Sequence, residues 1–137
     1  MRHFNRDSLD YHFIDKLEAG LVLTGADAKS LRTQPAQFQN SQVIITNGIP
    51  EIINLKIPLY KYSQGQLIDT TRSRALLLAE KQIAKLQSYR HQKYMLIPIA
   101  IYSKGKFFKL EVGIGRKFRQ YEKREKLKAK ELKQGLI

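Results

Sequence analysis

Glu18-Ala-Gly-Leu-Val-Leu-Thr-Gly-Ala-Asp-Ala-Lys-Ser-Leu-Arg32 is the stretch whose reading decides the fold. Its first part is the end of a strand, with Leu17, Ala19, Leu21 and Leu23 on one face by the two-residue period. Thr24-Gly25 breaks the extended run, and a short helix is expected from about Ala26 to Gln34. Pro35 disfavours helical angles at the residue before it and so ends the helix. Asp27 falls in the first turn, where the helix dipole and free backbone N–H groups favour a carboxylate. Lys29 and Arg32 are three apart and share a face toward solvent.

Upstream, residues 1–10 are polar, with Asn5 and Arg6 available for contact, and a first long strand is expected from Tyr11 to Leu23. His12 reads as a surface strand residue. Downstream, Gln42 to Thr46 runs into Asn47-Gly48, a pair that accepts positive φ and closes hairpins. Ile52, Ile53, Leu55 and Ile57 return, and Pro58 marks an end or an edge. Asn54, inside that strand, either contacts nucleic acid or caps a bulge. Lys61 to Arg74 is a loop poor in large apolar groups. Arg72 and Arg74 are two apart, so in extended chain both point one way, as two guanidinium forks on phosphate would. A helix is expected from Leu77 to Arg90, with an apolar stripe through Ala79, Ile83 and Leu86. Tyr94 to Tyr102 is apolar enough for a strand buried on both sides. Its partner alternates, with Phe108, Leu110, Val112 and Ile114 inward.

These elements predict a mainly β protein, a closed antiparallel β-barrel of the oligonucleotide-binding kind with two to three short helices. Residues 1–115 form one domain, and 116–137 a basic tail with nine Lys/Arg and three Glu. The tail is expected to be disordered when free and helical along an RNA groove.

The net charge of the 137 residues is +13, from 25 Lys plus Arg against 12 Asp plus Glu. A field of that sign attracts polyanions, and nucleic acid is the expected partner. No basic helix has the broad apolar face a membrane surface needs, no run is long enough to span a bilayer, and no charged-then-apolar leader opens the chain, so a cytoplasmic protein, monomeric when free, is expected. Cysteine is absent, no metal-ligand set or phosphate loop stands out, and neither cofactor nor enzymatic activity is expected. Asp7, Asp10 and Asp15 are the residues a metal-dependent nuclease would use, and a polar chain start is a poor rigid site for Mg²⁺.

The stretch from Glu18 to Arg32 resembles the signature of the small protein B family, the SsrA-binding proteins of bacterial trans-translation. Three more segments match in order: Asn5-Arg6; Asp69-Thr-Thr-Arg72-Ser-Arg74-Ala-Leu-Leu-Leu78; and Gly113-Ile-Gly-Arg-Lys-Phe-Arg-Gln-Tyr121-Glu-Lys-Arg124. The chain departs from the pattern at Asp10 (His in the family), Asp27 (Glu) and Lys117 (Gly). The resemblance implies a barrel that clasps the tRNA-like domain of transfer-messenger RNA and delivers it to stalled ribosomes. It implies RNA contacts at Asn5, Arg6, Asp27, Lys29, Ser30, Arg32, Asn54, Arg72 and Arg74. The tail, through Tyr121, Lys123, Arg124, Lys126 and Lys130, would enter the ribosomal messenger path. The rival reading is a generic barrel protein of the ribosome or of translation initiation.

Overall fold

Residues 2–59 and 69–118 are described by the computed structural model. In chain order they form β1 (Arg2–Phe4), a 3-10 turn (Arg6–Asp10), β2 (Tyr11–Leu21), α1 (Gly25–Thr33), β3 (Gln42–Thr46), β4 (Ile49–Ile53), β5 (Arg74–Leu77), α2 (Glu80–His91), β6 (Met95–Lys104) and β7 (Phe107–Lys117). The strands make one antiparallel sheet in the order β1-β6-β7-β2-β5-β4-β3.

The alternation read from the sequence is the alternation of burial. Ala19 and Leu21 on β2 and Phe108, Leu110, Val112 and Ile114 on β7 are buried in one core with Val43, Ile52, Leu55 and Ile57. Each helix sends a leucine, Leu31 or Leu86, to full burial in that core. Such a side chain contributes about 1.5–3 kcal/mol. Asn47 and Gly48 both have positive φ, 52° and 77°, and close the β3–β4 hairpin as expected. β6 is buried from Leu96 through Ile101, and its register slips between Pro98 and Ala100. A proline, which has no N–H for the ladder, is tolerated beside such a bulge.

Two expectations need correction. The barrel is not closed: the end strands β1 and β3 do not pair. β3 comes close to β6, but no ladder joins them. Part of the reason lies at the edge of β6 where β1 ends. The Asn5 backbone N–H donates to the Ile99 carbonyl at 2.8 Å and its side-chain Nδ2 to the Pro98 carbonyl at 2.7 Å. Acceptors that a closing strand would use are thus occupied. The second correction is at Arg74–Leu77, expected as the end of a loop and the start of a helix. It is a strand, β5, bridging β2 to β4, and α2 begins three residues later than expected, at Glu80. The β7 ladder runs to Lys117, opposite Tyr11 at the start of β2.

His3 is buried and ties β1 to the end of α1. Its Nδ1 accepts from the Ala36 N–H at 3.1 Å. That leaves Nε2 to carry the proton and donate to the Leu31 carbonyl at 2.8 Å.

Candidate nucleic-acid interface

Helix α1 begins as its sequence dictates: the Thr24 hydroxyl caps it by accepting from the Asp27 N–H at 3.1 Å. The Asp27 side chain, 6% exposed, lies against two arginines. Arg74 Nε donates to Asp27 Oδ2 at 3.2 Å, and Arg72 Nη2 bonds the same oxygen. Arg72 and Arg74 therefore do converge, but on Asp27. Arg74 is 3% exposed, and its other donors reach the carbonyls of Leu55 (2.7 Å), Thr70 (3.0 Å) and Arg72 (3.1 Å). Burial pulls the pKa of its guanidinium down, opposed by the Asp27 bond. Arg72 is half-buried; its Nη1 donates to the Asp69 carbonyl at 3.1 Å. The N–H and hydroxyl of Thr71 donate to the Asp69 carboxylate and hold its pKa down.

The other expected contact residues divide by exposure. Asn5 and Ser30 are buried: Asn5 caps the 3-10 turn and seals the β6 edge, and the Ser30 hydroxyl donates to the Pro58 carbonyl at 2.6 Å. Asn54 is exposed with φ of 60°, a left-handed conformation that asparagine tolerates, and its Nδ2 donates to the Asn40 carbonyl at 3.2 Å. Arg6, Lys29 and Arg32 are exposed, Arg32 with its guanidinium 5.9 Å from the centre of the Phe108 ring. Tyr121, Lys123, Arg124, Lys126 and Lys130 lie outside the described residues. Of the three N-terminal aspartates, Asp15 is paired with Lys85 at 2.7 Å and accepts from the Tyr89 hydroxyl. Among the described residues no group of three or more His, Asp or Glu could hold a metal ion, and no helix is long and apolar enough to cross a membrane.

The surface that sequence reasoning missed is the outer face of the sheet. Residues directly opposite one another on neighbouring strands share a face. The registers place Leu77, Gly20, Lys109, Tyr102 and Arg2 in one row across β5, β2, β7, β6 and β1. Leu77 is 67% exposed, and a Cβ on Gly20 would stand 3.1 Å from its own Cβ. Glycine thus leaves a flat floor between Leu77 and Lys109. Phe107 and Val22 are also largely exposed. Glu18 organises the row's far end: it accepts from the Tyr102 hydroxyl, and Lys104 Nζ lies 3.4 Å from its other oxygen. The Tyr102 bond keeps the Glu18 carboxyl below its usual range. Burial, with help from Glu18, raises the Tyr102 phenol to about 12. Arg2, at the end of the row, is paired with Glu111 at 3.6 Å. An apolar pad beside Lys109, with Lys104 and Arg2 further along, suits the face of a base and its phosphates together. One signal was present: in Leu76-Leu77-Leu78, a strand must turn the middle leucine away from its neighbours.

With this geometry in place, comparison with known proteins places the chain. The family model described as SmpB protein matches residues 3–136. The SsrA-binding protein of Oceanobacillus iheyensis is 41% identical over 128 residues, 92% of this chain and 83% of that protein. That of Geotalea uraniireducens is 38% identical over 125 residues, 90% of this chain and 83% of the relative. A solved chain from "tmRNA-SmpB: a journey to the center of the bacterial ribosome" superposes with a TM-score of 0.73 at 30% identity, covering 90% of this chain and 92% of that one. The four-segment resemblance and the fold agree with these matches, and the chain belongs to the SmpB family, the SsrA-binding proteins.

Proposed function

We propose that this chain binds the tRNA-like domain of transfer-messenger RNA and carries it to stalled ribosomes in trans-translation. Membership of the SsrA-binding family supports the partner, as does the solved relative on the bacterial ribosome. The observation that carries the mode of binding is the row Leu77–Gly20–Lys109–Tyr102–Arg2 on the open face of the sheet. Leu77 offers apolar contact to an unstacked base or ribose, and Lys109, Lys104 and Arg2 offer charge to the backbone. Glu18 holds Tyr102 and Lys104 in place.

The first-named cluster has a supporting part. Asp27 positions Arg72, whose half-exposed guanidinium is the member of the cluster able to reach phosphate. Arg74 fixes that arrangement from inside. Arg6, Lys29 and Arg32 add exposed charge at the rim. Residues 116–137 form the ribosome-directed segment, with Tyr121 for stacking and Lys123, Arg124, Lys126 and Lys130 for phosphate.

Competition tests the reading. Labelled tRNA-like domain bound to the full chain should resist a large excess of bulk tRNA, and its affinity should fall steeply with salt, by about 0.7–0.9 log units per log unit of salt for each phosphate contact. Equal displacement by bulk tRNA would favour the generic translation-factor reading instead.

A further inference from the structure

The basic segment departs from the end of β7, where the last described residues are held from both sides. On the β6 side, the Arg116 guanidinium lies 4.6 Å from the centre of the Tyr94 ring. An arginine at that distance over an aromatic face makes an attractive, oriented contact. On the β2 side, the Phe118 N–H donates to the Asp10 carbonyl at 2.8 Å, and the Phe118 ring centre lies 5.7 Å from that of His12. Between these two holds the strands approach tightly. A Cβ on Gly115 would collide with the His12 carbonyl, so glycine is what permits the approach one residue before Arg116.

The Tyr94 ring is itself braced. It meets Tyr89 of α2 edge-on, with ring centres 5.9 Å apart, and the Tyr89 hydroxyl donates to Asp15 of β2 at 3.2 Å. Lys85 pairs with the same carboxylate at 2.7 Å. Lys93 has a φ of 67°, a left-handed conformation unfavourable for a side chain of its size, and it turns the chain from α2 into Tyr94 and β6. These contacts lie away from the outer-face row, which crosses β7 at Lys109. From Lys109 to Lys117 is roughly 26 Å along the strand. A segment that swivels at its root spreads over many directions, which lowers its effective concentration at a second site.

We propose that Tyr94 and Phe118 are positioning residues: they fix the direction in which the chain leaves β7, and so aim the ribosome-directed segment relative to RNA held on the outer face. The proposal rests on the reading of residues 116–137 as ribosome-directed.

The test uses the full chain and three variants, Tyr94→Leu, Phe118→Ala and Tyr94→Phe, the last keeping a ring beneath Arg116. By NMR, the residue-118 amide should exchange with water about tenfold faster in Tyr94→Leu and Phe118→Ala than in the parent or Tyr94→Phe. The amide of Leu110, in the core, should keep its rate, which makes the change local. All four chains should bind the tRNA-like domain alike. Tagging on stalled ribosomes, at subsaturating protein, should fall about tenfold in Tyr94→Leu and Phe118→Ala and stay at the parent level in Tyr94→Phe. Should Tyr94→Leu fail to fold, Phe118→Ala carries the test alone. Unchanged exchange at residue 118 overturns the proposal, and so does weaker binding of the tRNA-like domain by a folded variant. Full tagging by variants whose residue-118 amide exchanges faster overturns it alone, provided that a chain ending at Phe118 fails to tag. If that shortened chain also tags fully, the ribosomal reading falls and the proposal with it.

Discussion

Removing the carboxylate of Asp27 should damage this protein far more than removing an ordinary helix-cap residue. Asp27→Ala deletes the carboxylate partner of Arg74, a guanidinium 3% exposed, and leaves it with only the carbonyls of Leu55, Arg72 and Thr70. Breaking a buried ion pair from one side typically costs about 3–5 kcal/mol, because a charge stays behind in a poor solvent. The three carbonyls soften that penalty, so the lower part of the range applies, about 3 kcal/mol. For a chain of this size the melting temperature should drop by roughly 10 °C. A lost cap at Thr24 should cost only about 1 kcal/mol. Urea unfolding of the parent, Asp27→Ala, Thr24→Ala and the double replacement Asp27→Leu with Arg74→Met separates the contributions. The double variant should lose much less than Asp27→Ala, since an apolar pair strands no charge. The slope of free energy against urea should stay constant if only the native state changes. An Asp27→Ala loss below about 1 kcal/mol would refute the reasoning and show that backbone carbonyls alone neutralise Arg74.

Two further expectations concern α2 and the tail. The hydrogen bond from Lys85 holds the Asp15 carboxyl below its ordinary range, so the ion pair stabilises the fold above the unfolded-state value of about 3.9 and fades as pH falls through the lowered one. Asp15→Asn should therefore lower the melting temperature at neutral pH, with the gap to the parent closing in acid; a pH-independent gap would contradict the assignment. A chain ending at Phe118 should melt like the full chain and bind the tRNA-like domain, yet fail in a tagging assay on stalled ribosomes. Tagging at the full chain's level would remove the ribosomal role of Tyr121 to Lys130.

How much of this was legible follows from the kind of signal each part leaves. The β6–β7 hairpin and the end of β2 were readable because their buried positions are apolar and their spacing regular, from Ala19 and Leu21 to Ile114. The Asn47-Gly48 turn was readable because few other residues accept two positive φ angles. β5 was not, since one of the two residues it buries is Arg74. A buried arginine looks like a loop residue until Asp27, 47 positions away, is known to meet it. The open seam was equally hidden, because one contact beside it is an asparagine bonding across 93 positions. The outer-face row could not be seen without registers, which bring Leu77, Lys109 and Tyr102 into line from three separate segments.

The most direct test of the central claim is equilibrium binding of the tRNA-like domain to the full chain carrying Leu77→Asp and Lys109→Ala, singly and together. Both side chains are on the outer face of the sheet, and Leu77 is 67% exposed, so neither replacement should lower the melting temperature by more than a few degrees. The account predicts a loss of at least about tenfold from Leu77→Asp, where a carboxylate replaces apolar contact and repels phosphate, and a salt slope reduced by about one contact in Lys109→Ala. Unchanged affinity in the folded double variant would contradict the account and move the RNA to another face.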